Sequence, residues 1–227
     1  MKNIQSFIEH TSLSPVTSQK EIEKLIEEAL RYQFYGICVP PYWVKKAKRD
    51  LGRTNIRLVT VAGFPLGYNM SQTKASEMLR AIDEGAEEID VVLNLSAFRA
   101  DSGSWAKIEV AQFARLCHEQ NVLLKVILET AYLTDEEIVK ICRFCRDAGA
   151  DFVKTSTGFA PGGATVHHVK LMKQTVGDSV GVKASGGIKT LKEAEAMLAA
   201  GAERIGTSSG VQIMEEARIK SQSEASD

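Results

Sequence analysis

The sequence lacks any marked excess of charge of one sign. Its 227 residues include 28 Lys and Arg against 29 Asp and Glu, which gives a formal net charge of −1 at pH 7. A chain with this balance has no basic field that would attract nucleic acid or an anionic membrane. We therefore expect neither nucleic acid nor a membrane as a partner, and the small-molecule partner that we do expect follows from the motifs described below.

Long hydrophobic runs are also missing. No stretch approaches the ~18 consecutive apolar residues of a membrane-spanning helix, and residues 1–6 lack the apolar core of a secretion signal. These features predict a cytoplasmic protein. Hydrophobic residues make up 44% of the chain, and a chain of this length can bury enough apolar surface to fold without disulfides or a structural metal.

Cysteine is scarce, with four residues at positions 38, 117, 142 and 145. Cys142 and Cys145 form a CxxC pair, a spacing that occurs in zinc and redox sites, but the sequence offers no second pair of ligands at a suitable spacing. Both residues also fall within a helical pattern. We interpret them as small apolar residues on one helix face, and we predict no metal and no other cofactor.

Short β-branched runs alternate with longer helical patterns along the chain. Strands are predicted at residues 36–39, 56–62, 88–93, 122–128, 151–154, 179–183 and 203–206. Helices are predicted at residues 18–32, 41–51, 71–84, 105–120, 134–148, 165–176 and 190–199. This alternation favours a parallel sheet whose strands are joined by crossover helices.

An eighth strand near residues 9–11 would close this sheet into a (β/α)₈ barrel. Three predicted helices end in the same way, at Gly85, Gly149 and Gly201, where glycine supplies a left-handed cap before the next strand. One helix–strand geometry repeated around a ring would explain the recurrence.

The alternative fold is a doubly wound open sheet. That fold usually carries a glycine-rich dinucleotide loop after its first strand, and the Val-Pro-Pro-Tyr of residues 39–42 is not such a loop. We therefore predict a single (β/α)₈ TIM barrel over residues 1–215, followed by a polar, flexible tail over residues 216–227.

Two lysines, Lys154 and Lys183, end consecutive apolar strands. Barrel enzymes take their catalytic side chains from these ends, and neighbouring strands lie ~4.8 Å apart. Two ammonium groups within ~5 Å repel by ~3 kcal/mol at an effective dielectric of ~20, which lowers the pKa of one of them. Since a neutral amine attacks carbonyls, the pair predicts a Schiff-base lysine, although two ordinary lysines extending from a barrel rim would give the same pattern.

Asp90 is a carboxylate within an otherwise apolar strand. Because side chains alternate along a strand, Asp90 and Asn94 are expected to share one face, with Lys125 on the next strand. A buried carboxylate requires a cationic or hydrogen-bonding partner, which Lys125 or one of the two strand-end lysines would supply. Asp90 would then either activate water during imine formation and hydrolysis or form a structural ion pair.

Loops rich in glycine and serine follow the last two predicted strands, and a similar loop follows Lys154. Backbone N–H groups in such loops bind anions, and barrels commonly hold a phosphate group at this position. We predict that the substrate or its phosphate contacts six residues: Thr157, Gly158, Gly186, Gly187, Ser208 and Ser209.

Several of these motifs resemble those of the deoxyribose-phosphate aldolase family. The most specific are Lys-Thr-Ser-Thr-Gly-Phe at residues 154–159 and Val-Lys-Ala-Ser-Gly-Gly-Ile at residues 182–188, and the likeness extends over nearly the whole chain. The resemblance implies a (β/α)₈ barrel that cleaves 2-deoxy-D-ribose 5-phosphate to acetaldehyde and glyceraldehyde 3-phosphate without a cofactor. A homo-oligomer is compatible with it.

The resemblance also implies roles for individual residues. Lys154 would be the Schiff-base nucleophile, Lys183 would activate it through charge and relay protons, and Asp90 would act as an acid and base through water. Three further residues are expected to support the site: Cys38, Lys125 and Asn94.

The sequence departs from the family's usual pattern at three places. Glu9 stands where the family has Asp before His-Thr, Pro40 stands where it has Asn, and Ala160 and Pro161 replace Gly-Thr. We expect these changes to alter substrate fit while the chemistry is kept.

Two other functions remain open at this point. One is a related Schiff-base barrel lyase that acts on another phosphosugar. The other is a catalytically silent barrel that binds a phosphosugar, and the joint presence of Asp90, Lys154 and Lys183 argues against it.

Overall fold

The computed structural model describes residues 3–100 and 103–224. Eight parallel strands follow one another in chain order around a closed barrel. The strands are Ile8–Thr11 (β1), Gly36–Val39 (β2), Arg57–Ala62 (β3), Glu88–Val92 (β4), Leu123–Ile127 (β5), Phe152–Lys154 (β6), Gly181–Ser185 (β7) and Arg204–Thr207 (β8). The predicted (β/α)₈ barrel is confirmed, including its eighth strand near residues 9–11.

The helices surround the barrel. They are Gln19–Tyr32 (α1), Val44–Leu51 (α2), Ser71–Asp83 (α3), Leu95–Ala100 (α4), Ser104–His118 (α5), Asp135–Asp147 (α6), Val166–Val176 (α7), Leu191–Ala199 (α8) and Gly210–Glu224 (α9). Short 3₁₀ turns occur at Ile4–Phe7, Pro41–Trp43 and Thr130–Tyr132. Within the described residues, no helix combines the length and apolar character needed to cross a membrane.

Local sequence signals set where many helices begin and end. Helices α1, α6 and α8 each begin after a Ser or Thr whose side chain accepts a hydrogen bond from the third helical residue, a glutamate that completes a capping box. The predicted helix-ending glycines adopt positive φ values of 108° at Gly85, 89° at Gly149 and 107° at Gly201. Glycine reaches this conformation without steric cost, so the repeated cap is confirmed.

Strand β4 illustrates how the barrel separates apolar from charged side chains. Ile89 and Val91 belong to the main hydrophobic core, whereas Glu88 and Asp90 contact lysine side chains carried by other strands. The alternation of side chains along a strand produces this division. On β4, the charged side chains therefore point into the barrel, and the apolar side chains point outwards and pack against the helices.

The chain remains helical beyond the predicted end of the barrel domain. Helix α9 covers residues up to 224, although the sequence analysis assigned residues 216–227 to a flexible tail. Ala217 packs against the main core, and Lys220 Nζ binds Glu195 Oε1 of α8 at 2.9 Å. These contacts explain why the segment folds as a helix, while residues 225–227 lie outside the described part of the chain.

The CxxC pair lies in α6, as predicted. Cys142 and Cys145 are both buried and free. Burial raises the pKa of the Cys142 thiol to about 12. The two residues therefore serve as apolar packing groups on one face of the helix.

Candidate active site

The interior of the barrel contains a cluster of six ionisable side chains, here called the barrel charge cluster. Its members are Glu9 (β1), Glu88 and Asp90 (β4), Lys125 (β5), Lys154 (β6) and Lys183 (β7). Each is at most 3% exposed. Three lysines face three carboxylates, so the cluster can be neutral as a whole even though it is buried.

Asp90 lies at the centre of this cluster. Its Oδ2 atom accepts hydrogen bonds from Lys154 Nζ and Lys183 Nζ, both at 2.7 Å. Its Oδ1 atom accepts one from Lys125 Nζ at 3.0 Å. Because the nitrogens of Lys154 and Lys183 bind the same oxygen, they cannot be farther apart than twice 2.7 Å.

The strand register explains this convergence. Lys154 and Lys183 are direct Cα partners on β6 and β7, and Asp90 pairs with Lys125 on β4 and β5. The predicted proximity of the two lysines is therefore confirmed. Lys183, however, lies in the middle of β7 rather than at its end, because that strand runs two residues further than predicted.

The charge state of Asp90 follows from its neighbours. Burial by itself would raise the pKa of this carboxyl group, but the ammonium groups of Lys125, Lys154 and Lys183 outweigh that effect and hold the pKa well below its ordinary value. At neutral pH Asp90 is thus a carboxylate that accepts hydrogen bonds on both oxygens.

Lys183 has a second anionic partner in Glu9, whose Oε2 atom also binds its Nζ. Burial would lower the pKa of Lys183, but Asp90 and Glu9 more than compensate, and the pKa is raised. The repulsion argument made from the sequence considered the two lysines alone and omitted both carboxylates. The sequence analysis treated Glu9 only as a difference from the family's usual Asp. Because side chains alternate along a strand, the position of Glu9 two residues before Thr11 would have placed both on the inner face of the barrel.

The cluster continues towards the amino-terminal end of the barrel. Glu88 Oε2 binds Lys125 Nζ, and Glu88 Oε1 accepts a hydrogen bond of 2.5 Å from Tyr35 Oη. Burial would lower the pKa of Lys125, but Asp90, Glu9 and Glu88 together raise it well above its ordinary value. Lys125 is therefore an ammonium group at neutral pH, beside Asp90. Sequence reasoning missed Glu88, although its spacing of two residues from Asp90 placed it on the same strand face.

A cavity of about 360 Å³ opens above the cluster at the carboxyl ends of the strands. Of the six residues of the barrel charge cluster, only Lys154 lines this cavity. Five of the six predicted binding residues line the same cavity: Thr157, Gly158, Gly186, Gly187 and Ser208. The structure thus brings the lysine and the glycine-rich loops to a single space.

The glycine-rich loops depend on backbone conformations that favour glycine. Gly186 and Gly187 have φ values of 86° and 81°. A Cβ atom at Gly163 would lie 2.1 Å from the Gly186 carbonyl oxygen. The loop after β6 and the loop after β7 therefore pack backbone against backbone, which fixes their N–H groups beside the cavity.

Thr157 is held by an acidic residue that the sequence analysis did not single out as part of the site. Glu129 follows β5, is 5% exposed, and accepts hydrogen bonds from the Thr157 N–H at 3.2 Å and from its hydroxyl group. A buried carboxylate in this position restrains the loop that follows Lys154.

The remaining predicted residues take other positions. Ser209 is not part of the cavity lining, and its N–H donates to Thr207 Oγ1 at 2.9 Å. Asn94 Oδ1 accepts a hydrogen bond of 3.0 Å from the Ala97 N–H and so caps α4. Because β4 ends at Val92, strand alternation no longer applies at residue 94, and the supporting role of Asn94 stays a prediction.

Cys38 does lie inside the barrel. It forms a small apolar cluster with Val59 and Val61, against which Leu13 and Phe64 pack. Burial raises the pKa of the Cys38 thiol to about 11, so the thiolate form is rare at neutral pH. The residue contributes an apolar surface beside the charged lysines.

One group of residues on the outer surface offers metal-ligand atoms. Within the described residues, Asp135, His167 and His168 place such atoms within 4.8 Å of one another. They lie at the start of α6 and α7, where helix dipoles disfavour a cation, and His167 Nε2 already binds Asp135 Oδ2 at 2.6 Å. None of the three lines the cavity that contains Lys154.

Comparisons with known proteins agree with this geometry. The family model described as DeoC/LacD family aldolase matches residues 5–216. A deoxyribose-phosphate aldolase from Thermococcus gammatolerans is 47% identical over 95% of this chain and 97% of its own length. One from Thermoanaerobacter pseudethanolicus is 50% identical over 94% of this chain and 96% of its own length.

A solved structure adds an independent comparison at the level of the fold. The deoxyribose phosphate aldolase from Aeropyrum pernix, described as having a unique tetrameric structure, superposes with a TM-score of 0.87 at 32% identity and covers 96% of this chain and 92% of its own. The match of the family model over most of the chain, together with relatives near half identity over almost their full length, means that this chain belongs to the DeoC/LacD family of aldolases.

Proposed function

We propose that this chain is a deoxyribose-phosphate aldolase that cleaves 2-deoxy-D-ribose 5-phosphate reversibly to acetaldehyde and D-glyceraldehyde 3-phosphate. The observation that carries the proposal is the position of Lys154. Its Nζ atom binds Asp90 at 2.7 Å, and the residue lines the same cavity as the glycine-rich loops. A lysine amine and an anion-binding surface in one cavity match a phosphorylated carbonyl substrate.

The reaction begins with imine formation at Lys154. Its neutral amine attacks C1 of the open-chain sugar, and the carbinolamine that results loses one water molecule. Removal of the proton from the C3 hydroxyl group then breaks the C2–C3 bond. The electron pair of that bond moves into the imine, which becomes an enamine, while C3 becomes the aldehyde of glyceraldehyde 3-phosphate.

The second half of the reaction restores the enzyme. C2 of the enamine takes up a proton, and one water molecule hydrolyses the imine and releases acetaldehyde, which balances the water lost earlier. Asp90 supports both proton steps, because its Oδ2 atom hydrogen-bonds Lys154 and Lys183 together. Lys183 is positively charged at rest and assists proton transfer by giving up and regaining one proton at this shared oxygen.

The phosphate group binds, in this proposal, to the backbone of Gly186, Gly187 and the Ser208 loop. Helix α9 begins at Gly210, directly after that loop, so its N-terminal dipole favours an anion there. We expect Ser208→Asp to raise KM for deoxyribose 5-phosphate by tenfold or more, at roughly 1.4 kcal/mol per decade, and to leave KM for free deoxyribose nearly unchanged. Ser76→Asp, an exposed change on α3, is the matched control, and equal effects of Ser208→Asp on both substrates would argue against this phosphate site.

The direct test of the function combines a cleavage assay with borohydride trapping. The purified protein should cleave deoxyribose 5-phosphate, and reduction in the presence of acetaldehyde should add a two-carbon group that peptide mass mapping assigns to Lys154. Lys154→Leu should abolish cleavage and trapping. An adduct on Lys183 would reverse the roles of the two lysines, and the absence of cleavage and adduct in the wild type would refute the function.

The proposal also includes self-association and a cytoplasmic location. The Aeropyrum pernix relative is described as tetrameric, and the four buried free cysteines suit a reducing compartment. Size-exclusion chromatography with light scattering should give an integer multiple, above one, of the 24.8 kDa chain mass.

A further inference from the structure

Three side chains that can bind a metal ion meet on the outer surface, where α6 contacts α7. Asp135 is the first residue of α6, and His167 and His168 are the second and third residues of α7. One ligand atom from each residue lies within 4.8 Å of the other two. Two histidines and a carboxylate also form the protein ligands of one class of open zinc site. The reaction described above makes no use of this group.

The spacing of the three ligand atoms is close to what a bound ion requires. His167 Nε2 lies 2.6 Å from Asp135 Oδ2, and His168 Nε2 lies 3.9 Å from Asp135 Oδ1. Ligand atoms that are each ~2.1 Å from a tetrahedral ion are ~3.4 Å from one another. The shortest contact would therefore open by ~0.8 Å, and no separation would close by more than ~1.4 Å. Rotation of the side chains can supply movements of this size.

Helix caps fix the backbone on both sides of the group. Thr134 begins α6 in a capping box, directly before Asp135. Thr165 begins α7, and its Oγ1 atom accepts a hydrogen bond of 3.0 Å from the His168 N–H. Because each helix starts at a fixed residue, the ligands are brought together before an ion arrives, which lowers the entropic cost of binding.

The two histidines suit this role in different ways. The Nδ1 atom of His168 is buried, so Nε2 is the nitrogen that an ion can reach. Burial, and to a smaller extent the neighbouring His167, lowers the pKa of His168, so the ring is neutral at neutral pH and can act as a ligand. The side chain of His167 is 66% exposed and can turn towards an ion without disturbing the core.

The electrostatic field at the group has two opposing parts. The amino-terminal dipoles of α6 and α7 repel a cation and weaken its binding by roughly twofold to fivefold per helix. The first turn of α6 carries Asp135, Glu136 and Glu137, of which Glu137 is paired with Arg99. Asp135 contributes its charge as a ligand, and Glu136 adds a negative charge one residue away. The helix dipoles therefore reduce the affinity for a cation but do not prevent binding.

We propose that Asp135, His167 and His168 bind a divalent transition-metal ion, for which Zn²⁺ is the best match, and that the ion joins the start of α6 to the start of α7. Imidazole and carboxylate ligands suit Zn²⁺, whereas Ca²⁺ and Mg²⁺ prefer oxygen ligands. The ion replaces the proton that links His167 Nε2 to Asp135 Oδ2, and water completes its coordination. The site is independent of the aldolase function, because none of its three residues lines the cavity that contains Lys154.

The ion would connect two segments that already meet beside the active site. Asp135 follows the loop that contains Glu129, and His167 follows the loop that contains Thr157, whose hydroxyl group donates a hydrogen bond to Glu129. Unfolding would break the link made by the ion, so Zn²⁺ should stabilise the folded state by mass action. At a free concentration about 100-fold above its Kd, Zn²⁺ should raise Tm by roughly 5 to 10 °C.

The test is a Zn²⁺ titration of the full chain, after treatment with a chelator, at a mildly alkaline pH where imidazole is neutral. Isothermal titration calorimetry should show saturable binding of a single ion per chain. His167→Gln and Asp135→Asn each remove a ligand and keep a polar side chain of similar size. Each should weaken binding by roughly tenfold or more.

His118→Gln is the matched control. His118 is an exposed histidine that pairs with Asp151 at 3.0 Å, and within the described residues it belongs to no group of three ligands. This variant should keep the affinity and the Tm increase of the wild type, whereas His167→Gln should lose both. His167 is exposed, so its replacement should leave the protein folded. The absence of saturable binding in the wild type, or equal affinities for the wild type and His167→Gln, would overturn the site.

Discussion

The protein buries lysine side chains in two regions, and their environments differ. Outside the barrel, Lys74 of α3 is fully buried and donates to the Val92 carbonyl oxygen at 2.9 Å and to Glu109 Oε2 at 3.1 Å. Burial lowers the pKa of Lys74 by more than Glu109 raises it, so the pKa lies below its ordinary value. This lysine has one carboxylate partner.

Inside the barrel the balance is reversed. Lys125 is equally buried, but Asp90, Glu9 and Glu88 together raise its pKa well above the ordinary value. The number of carboxylates around each ammonium group, rather than burial, therefore decides the direction in which its pKa moves. A buried lysine that must stay charged needs several anionic partners, and the barrel supplies them from different strands.

Asp90→Asn should have the largest effect, because it removes the carboxylate that three lysines share. We expect kcat/KM to fall by roughly 10² to 10⁴, the usual contribution of a general acid or base. The free energy of unfolding should also fall by roughly 3 to 5 kcal/mol, since buried ammonium groups lose their partner. Steady-state kinetics and urea denaturation check both values, and near-wild-type activity would remove Asp90 from the chemistry.

Lys183→Met should have the next largest effect on activity. It deletes the positive charge that shares Asp90 Oδ2 with Lys154, and the loss of that charge and of its proton relay should lower kcat/KM by roughly 10²-fold at neutral pH. The pH profile of borohydride trapping should move to higher pH. Lys183→Arg keeps the positive charge, but arginine cannot release a proton. This variant should therefore show the wild-type pH profile of trapping and lose only the proton transfer that Lys183 provides. Coincident profiles for all three proteins would show that Lys183 does not tune the reaction through charge.

Glu109→Gln tests the region outside the barrel. The change leaves Lys74 without its carboxylate, so the free energy of unfolding should fall by roughly 3 kcal/mol. Activity should stay within a few-fold of the wild type, because neither residue lines the cavity that contains Lys154. Urea denaturation and kcat/KM measured on the same preparation check this. An activity loss as large as that of Asp90→Asn would contradict the distinction between the two regions.

The pH dependence of stability should show the smallest difference. The pKa of Lys74 is lowered in the folded state, so between that value and the ordinary ~10.4 the unfolded chain binds more protons and stability rises with pH. Lys125 has a raised pKa, so its contribution is fully present below ~10.4 and is lost progressively as the pH rises from there through its folded pKa. The free energy of unfolding of the wild type minus that of Lys74→Met should therefore increase as the pH approaches ~10.4. A constant or falling difference would contradict the direction given for Lys74.

The sequence predicted the barrel and its two central lysines because both depend on short-range patterns. Strand periodicity and glycine caps are local, and strand order then places Lys154 beside Lys183. The contact between Glu9 and Lys183 joins β1 to β7, so it depends on closure of the barrel and on the length of each side chain. No local pattern contains that information.

The errors have equally physical causes. Alternation was extended from Asp90 to Asn94, but the chain leaves the strand after Val92 and turns into α4. The polar composition after residue 215 suggested a flexible tail, whereas a few contacts to the core and to α8 are enough to keep α9 helical.

The contact between Glu9 and Lys183 also has a consequence for the newly made chain. The two residues are 174 positions apart, and a ribosome adds roughly 5 to 20 residues per second. Glu9 is therefore added to the chain roughly 9 to 35 s before Lys183 is. Until Lys125 and Lys183 have been made, the carboxylate lacks its buried ammonium partners and must remain in water, so β1 cannot take up its buried position early in synthesis. The first strand made would be among the last to find its place, and a nascent chain halted before β7 should leave its amino terminus open to proteases.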